Sequence, residues 1–512
     1  MTAVTRSVQF RMSAVAFAAL YALVALPRSA IPLIDGDVWW HFRAGDTVLT
    51  TGTVPTVDTW SVAGAGMPWI SQDWLLNVAM AAAASLGEWG WTLLSVSFAL
   101  MAVGSLAVLR SAIRLRVSPT SWVGPLVWLA AGLTVAGPTL GVRTQVVDLP
   151  LACITLWILW RYMDDGRLRW LIGLPLVAVV WANLHAGWIL LFLLGGAVLV
   201  GELVDRQLQR VIGKAPLPPR KGAGLAFALV SAAVALLANP NGFALYTYPI
   251  QAGVGALSNY LVEWAPPDIA DLPGQLLAAF VVLGVVPTLL MGRGNLRTAD
   301  LLVLIGLCAM AVSAARFLLV AGPICAAIVA IGLGPPISAT PVGRRLSPAL
   351  QRMGSPSSSP LRRALNAALV LLVVGLGIGV TATRVSPIAQ VDAIEEHMPV
   401  AAVNWLVAND PGDRPFNTYS WGGYLGWRQP AELVFIDGRA DVYGEAPIRS
   451  YAMAVTLEDD PQELLDRHMI DYVLVNTGTP FAGWLDDSAA WDPVYTDGLA
   501  SVWTRSEASA VP

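Results

Sequence analysis

The stretch Asp35-Gly36-Asp37-Val38-Trp39-Trp40-His41 directly follows the first apolar segment of the chain, residues 10–34. It sets two carboxylates, an imidazole and two indoles at the point where an apolar helix ends. Tryptophan favours the boundary between lipid and water, and ionisable groups at that depth are costly and commonly functional. An Asp-x-Asp pair is a weak signal by itself, but at this position it marks a candidate site.

Composition places this motif in a membrane protein. Of the 512 residues, 56% are hydrophobic and 13% are charged, and the mean hydropathy is +0.61, which is too apolar for a soluble chain of this length. Many segments approach the ~20 residues that an α-helix needs to cross a bilayer. The three cysteines lie in apolar segments, so we interpret them as small core residues and not as a disulfide framework or metal site. We predict an α-helical polytopic membrane protein.

Basic residues give this chain an orientation in the membrane, because Lys and Arg concentrate in cytoplasmic loops. Twenty of them fall in alternate connections, whereas the opposite connections before residue 384 hold only Arg28, Arg43, Arg143 and Arg316. We expect a multi-pass protein of the plasma (inner) membrane with a cytoplasmic N-terminus and with loop 35–88 outside. The apolar runs predict about eleven transmembrane helices, near 10–34, 89–109, 120–140, 145–160, 170–184, 186–204, 222–238, 275–292, 299–315, 317–334 and 364–382.

Three segments of the predicted transmembrane domain, residues 1–383, allow more than one interpretation. Segment 74–86 is apolar but short, and we favour a helix lying in the outer interface over a short span. Segment 10–34 follows two arginines as a signal peptide does, but it is long for one, and we favour an uncleaved first helix. The inner connection 335–363, rich in Gly, Pro, Ser and Arg, is typical of a flexible linker.

The tail, residues 384–512, carries most of the acidic residues and has shorter apolar runs. Runs 433–436 and 472–475 predict buried strands, and 493–496 with 500–503 predicts a hairpin around Asp497-Gly498. Runs 400–407 and 461–467 predict helices. We expect a small extracytoplasmic α/β domain, in which Asp437-Gly438-Arg439-Ala440-Asp441 is either an active element or, as we favour, a turn with internal salt bridges.

Charged and imidazole side chains at the outer ends of the predicted helices form one candidate site. A carboxylate can act as base toward an acceptor hydroxyl, and the planar fork of arginine suits a phosphate. Simpler interpretations remain for single members: Arg143 and Arg316 could extend to lipid headgroups, and His185 could satisfy backbone groups at a helix end. We predict Asp35 and Asp37 as catalytic residues and, as substrate-binding residues, His41, Asp73, Arg143, His185 and Arg316.

The order of motifs resembles bacterial multi-pass membrane proteins allied to the GT-C glycosyltransferase superfamily, with an Asp-x-Asp-x-Trp-Trp-His motif in the first loop. Gln72-Asp73 departs from the expected His-Glu, and Ala186 stands where Gly is usual. The resemblance extends over nearly the whole chain. The matching segments are residues 35–41, 68–75, 181–187, 239–242, 263–267, 315–316, 421–425 and 435–441.

This resemblance implies a GT-C-like fold and an inverting glycosyltransferase. The donor would be a sugar on a polyprenyl phosphate, and the acceptor a glycan, lipid or protein of the cell envelope. By the same resemblance, Asp35 or Asp37 would be the base, and Arg143, His185 and Arg316 would hold the donor phosphate. Some members of the superfamily use a divalent metal, so Mg or Mn stays open as a cofactor. A lipid-carrier flippase or transporter and a non-catalytic envelope scaffold are the alternatives, and nothing in the chain indicates a nucleic-acid partner.

Overall fold

The computed structural model describes residues 11–118, 120–207, 219–253, 261–355 and 359–506. Within these ranges the chain is mostly helical, and a four-stranded sheet occupies its C-terminal part. This arrangement confirms the predicted class, an α-helical polytopic membrane protein with a small C-terminal α/β part.

Seven helical segments in the described residues are long and apolar enough to cross a membrane. Each of them corresponds to one of the eleven predicted spans, and the other four predicted spans match shorter apolar helices. The number of crossings therefore stays a prediction. The seven long segments are Met12–Ser29, Glu88–Ile113, Thr144–Asp165, Ala186–Gln207, Leu272–Asn295, Ala315–Ala339 and Pro360–Arg384, and the shorter apolar helices include Val123–Thr139, Leu168–Leu184, Lys221–Ala235 and Thr298–Ser313.

The most buried helix of the bundle runs from Leu318 to Ala339. Every residue from Leu318 to Leu333 is buried, and the helix packs against the helix Val123–Ala136. A methyl group added at Gly132 would lie 2.6 Å from the backbone oxygen of Gly322, so small residues let the two backbones approach closely. This pair forms the centre on which the other helices pack.

The first loop contains two helices, Asp37–Thr51 and Trp74–Ala84, which pack against each other. The second is the predicted interfacial helix 74–86, and its position relative to the membrane stays a prediction. A side chain at Gly45 would overlap the backbone oxygen of Asn77, so this crossing depends on glycine.

The inner connection 335–363 was predicted to be a flexible linker, but it contains the helix Pro341–Gly354. Thr340 caps this helix by accepting a hydrogen bond from the backbone N–H of Gly343, at 3.0 Å. Its arginines and leucines recur with the period of an α-helix. The linker prediction used amino-acid composition, which does not contain this periodicity.

The C-terminal part contains four strands: β1 (Pro415–Asn417), β2 (Tyr472–Asn476), β3 (Trp491–Thr496) and β4 (Ala500–Arg505). The order across the sheet is β1-β2-β4-β3, with β1 parallel to β2 and the other pairs antiparallel. The predicted strand 472–475 and the predicted hairpin are both present. The same part contains the helices Pro387–His397, Val400–Asn409, Gly422–Arg428, Ala440–Tyr443, Glu445–Val455, Pro461–Arg467 and Pro480–Asp487.

The predicted strand 433–436 is wrong, although its side chains from Val434 to Ile436 are buried. Its backbone pairs with the first loop instead of the sheet: Val434 donates to the oxygen of Trp60 at 2.9 Å, and Val62 donates to the oxygen of Val434 at 2.8 Å. A third backbone hydrogen bond runs from the N–H of Ala63 to the oxygen of Phe435, at 3.1 Å. The C-terminal part is thus bonded directly to the loop that follows the Asp-x-Asp motif.

Candidate functional site

Two cavities adjoin where the first loop, the helix ends and the C-terminal part meet. One is polar, with a volume of about 640 Å³, and all seven residues predicted for the site line it. The other, of about 770 Å³, is largely apolar and runs between the helices Ile189–Gln207 and Thr298–Ser313. The residues that line both cavities are Gln145, His185, Tyr248, Trp264 and Arg316.

Asp35 binds two neighbouring groups, one from a side chain and one from the backbone. Its carboxylate lies 2.5 Å from Nε of Arg143, and it also accepts a hydrogen bond from the backbone N–H of Asp37 at 3.0 Å. Burial works to lower the pKa of Arg143, but the charge of Asp35 and of two further acids outweighs it and raises that pKa. Asp35 therefore binds the charged guanidinium of Arg143 and also the first backbone N–H of the helix Asp37–Thr51.

Asp37 differs from Asp35 because its carboxylate has no hydrogen-bond or ion-pair partner in the described part of the chain. It faces the polar cavity and lies against Gly438 of the C-terminal part. Burial, and then the charges of Asp35 and Glu263, raise the pKa of Asp37 well above its ordinary value. A carboxylate with a raised pKa is a stronger base near neutral pH, which suits proton abstraction.

His41 is held by the neighbouring helix of the first loop. Its Nδ1 lies 3.1 Å from the carboxylate of Asp73 and 2.7 Å from the side-chain oxygen of Asn77. Burial works to raise the pKa of Asp73, but the charges of His41 and His185 outweigh it, and that pKa lies below its ordinary value. Asp73 is thus kept ionised, and the imidazole of His41 is fixed on its Nδ1 side.

His185 forms a second pair of the same kind. Its Nδ1 lies 2.8 Å from the carboxylate of Asp148, which also accepts a 2.7 Å hydrogen bond from the indole of Trp181. Gly187 leaves space for this carboxylate, which a side chain there would overlap. A carboxylate that binds one ring nitrogen sets the orientation of the other, so the ring edge of His185 is fixed at the junction of the two cavities.

Arg316 also lies at the junction. Its guanidinium carbon is 4.0 Å from the ring centre of Trp264, and Nη1 is 3.7 Å from Glu263. The backbone holds these segments together, because Ala315 donates to the oxygen of Ala265 at 3.0 Å. The ion pair is long, so Arg316 keeps donors for an anion at the mouth of the apolar cavity.

The C-terminal part supplies a wall of the polar cavity that sequence patterns did not indicate. Tyr419, Ser420, Gly438 and Asp441 line it. The carboxylate of Asp441 accepts a hydrogen bond from Tyr248. The sequence marked residues 437–441 as a possible active element, but their approach to the first-loop motif depends on tertiary packing.

Arg439 lies behind this wall and its side chain is fully buried. It donates to both carboxylate oxygens of Asp437, at 2.7–3.0 Å, and to Asp58 of the first loop at 2.8 Å. The guanidinium also packs between Trp60 and Trp69, at 4.8 and 4.7 Å from their rings. The predicted turn with internal salt bridges is therefore also a connection to the first loop.

The described residues contain no group of three or more His, Cys, Asp or Glu side chains placed to hold a metal ion. Asp35 and Asp73, which a cation could otherwise use, are bound to Arg143 and His41. A divalent cofactor, Mg or Mn, stays a prediction.

Comparison with known proteins gives a fold. No protein-family model and no curated protein sequence matches the chain. The apo oligosaccharyltransferase of Archaeoglobus fulgidus aligns with a TM-score of 0.56 and 12% identity, over 91% of this chain and 69% of that one. ArnT from Cupriavidus metallidurans in the apo state aligns with a TM-score of 0.51 and 12% identity, over 97% of this chain and 98% of that one.

The fold is that of the GT-C glycosyltransferases. This confirms the fold that the sequence motifs implied, including its multi-pass membrane character. An identity of 12% does not transfer residue roles from those proteins to this chain. The roles of the seven site residues therefore stay predictions.

Proposed function

We propose that this protein is a membrane glycosyltransferase that transfers a sugar from a polyprenyl-phosphate donor to a cell-envelope acceptor. One observation carries the proposal: the carboxylate of Asp37, unpaired among the described residues, faces a polar cavity that shares a boundary with an apolar one. A reaction between a lipid-linked donor and a polar acceptor needs these two environments side by side.

The apolar cavity suits the lipid part of the donor. Its walls are side chains of the helices, such as Leu193 and Val200. Both are partly exposed, so the cavity opens on the side of the helix bundle. The donor phosphate would then lie at the junction, within reach of Arg316 and His185. Arginine and a fixed imidazole both donate hydrogen bonds to phosphate oxygens.

The polar cavity suits the sugar and the acceptor. Asp37 takes the proton of the acceptor hydroxyl, the acceptor oxygen forms a bond to the anomeric carbon, and the polyprenyl phosphate leaves with the electron pair of the broken bond. Attack opposite to the leaving group inverts the anomeric configuration. The wall formed by Ser420 and Asp441 would contact the acceptor. The arginine distribution supports an outer-face location for this chemistry.

The test uses purified protein in nanodiscs with a radiolabelled polyprenyl-phosphate sugar and acceptor lipids or glycans. Loss of a general base costs about 10²- to 10⁴-fold, so we expect Asp37→Asn to lower kcat by that amount. Asp46→Asn is the matched control, because Asp46 lies on the same helix, is exposed and does not line either cavity. Retained turnover in Asp37→Asn would refute the role of Asp37, and donor binding without transfer by any variant would favour a lipid-carrier transporter.

A further inference from the structure

The backbone of the C-terminal part packs directly on the Asp-x-Asp motif. A side chain at Gly36 would overlap the backbone oxygen of Ser420, and one at Gly423 would lie 2.6 Å from the oxygen of Gly36. At Gly438 an added methyl group would overlap Oδ1 of Asp37 and would lie 3.0 Å from Nε1 of Trp40. Glycines from both segments thus permit a contact that any side chain would prevent.

Gly438 is needed for space and not for backbone conformation. Its φ angle is outside the left-handed region, where a side chain would be strained in any surroundings. The atom that a methyl group would overlap is the end of the Asp37 side chain, which can rotate. Alanine at this position would therefore displace the carboxylate of Asp37 while leaving the backbone as it is.

The neighbouring residues fix Gly438 in place. Asp437 and Arg439 bind each other through the paired hydrogen bonds described above, and the N–H of Asp437 donates to the hydroxyl of Tyr443 at 3.1 Å. Arg439 also binds Asp58, so the turn is attached to the same loop that carries the motif. A buried bidentate pair holds its geometry tightly.

We propose that Gly438 and Arg439 are positioning residues that hold the carboxylate of Asp37 at the wall of the polar cavity. The inference rests on the proposed function for its catalytic consequence, but the contact itself is independent of any activity. Arg439 fixes the turn, and Gly438 forms the surface against which Asp37 rests. The C-terminal part therefore controls the geometry of the base as well as closing the cavity.

The experiment compares Gly438→Ala with Gly483→Ala. Gly483 lies in the helix Pro480–Asp487 of the same part, and an added methyl group there meets open space. Displacing a catalytic group by about 1 Å can cost about 10²-fold, so we expect Gly438→Ala to lower kcat about a hundredfold while the KM for the donor stays within twofold. The pH dependence of kcat should shift as well, because the surroundings of the Asp37 carboxylate change.

A second readout does not depend on transfer. Asp37 of the full-length protein is labelled with a hydrophobic carbodiimide and quantified by peptide mass spectrometry. We expect Gly438→Ala to raise the labelling rate at least threefold, because the displaced carboxylate moves into the open cavity, and Gly483→Ala to leave it unchanged. Arg439→Lys, which keeps the charge but cannot bridge both carboxylates, should raise the rate in the same direction and serves if Gly438→Ala does not fold.

Wild-type labelling and wild-type kcat in both Gly438→Ala and Arg439→Lys would overturn the inference. If labelling of Asp37 rises but Asp37→Asn remains active, the positioning contact stands and the proposed role of Asp37 as base fails. If labelling is unchanged while Asp37→Asn is inactive, the base stands and the positioning role fails.

Discussion

Removing the Arg439 guanidinium should open the contact between the first loop and the C-terminal part. Arg439→Met keeps the length of the side chain but leaves Asp437 and Asp58 without their buried partner. Breaking a buried ion pair from one side costs about 3–5 kcal/mol, because an uncompensated charge remains in the interior. The stacking on Trp60 and Trp69 is lost with it, so we place the effect in the upper part of that range.

Hydrogen exchange of the full-length protein in nanodiscs measures this directly. At 1.4 kcal/mol for each factor of ten, an effect of about 4–5 kcal/mol predicts that amides of segments 56–70 and 433–445 exchange about 700- to 4,000-fold faster in Arg439→Met. Arg449→Met is the control, because Arg449 is exposed in the same part and its side chain forms no ion pair among the described residues, only a 3.4 Å hydrogen bond to the sulfur of Met453. Protection in these segments within threefold of wild type would show that the buried ion pair does not hold the two parts together.

Three further predictions concern the site. Asp35→Asn should move the acid limb of the kcat/KM profile to lower pH, because a like charge that raises the pKa of Asp37 is removed; an unmoved or raised limb would contradict this. Arg316→Lys should raise the donor KM about 3- to 30-fold with little change in kcat, since lysine keeps the charge but loses the guanidinium stacking; steady-state kinetics with an unchanged KM would exclude that contact. Gly306→Leu should fill the apolar cavity and raise the KM for long-chain but not for short-chain donors. Gly104→Leu is the control, because Gly104 also faces open space but lies on another helix, and it should leave both KM values unchanged. Equal effects of Gly306→Leu on both donors would argue against a lipid site.

The sequence predicts those features of the fold that depend on local pattern. Long apolar runs mark the helices of the bundle, and the hairpin around Asp497-Gly498 follows from a tight-turn signal between two strands. The prediction of a sheet strand at 433–436 failed because buried, strand-like residues do not specify the segment with which they pair. Here that segment is the loop at Trp60 and Val62. Pattern identifies a segment that will be extended and buried, but not the segment against which it packs.

The candidate site shows the same limit. Polar residues at helix ends were recognisable, and the fold brings Asp37, Arg143, His185 and Arg316 to one cavity. Asp35 is paired with Arg143, whereas Asp37 has no partner in the part of the chain that the structure describes, and this distinction depends on tertiary contacts. The element 437–441 was recognisable in the sequence, but the place of Asp441 in the cavity depends on neighbours from distant parts of the chain.

The connection between Asp58 and Arg439 joins residues 381 positions apart in sequence. During synthesis the loop with Asp58 leaves the ribosome long before Arg439 exists, and its carboxylate has to stay hydrated until then. A chain that stops before residue 415 could insert its apolar helices but would present an open groove in place of the polar cavity. Synthesis of the C-terminal part is thus also the step that completes the polar cavity, which ties the formation of the candidate site to a segment made long after the first loop.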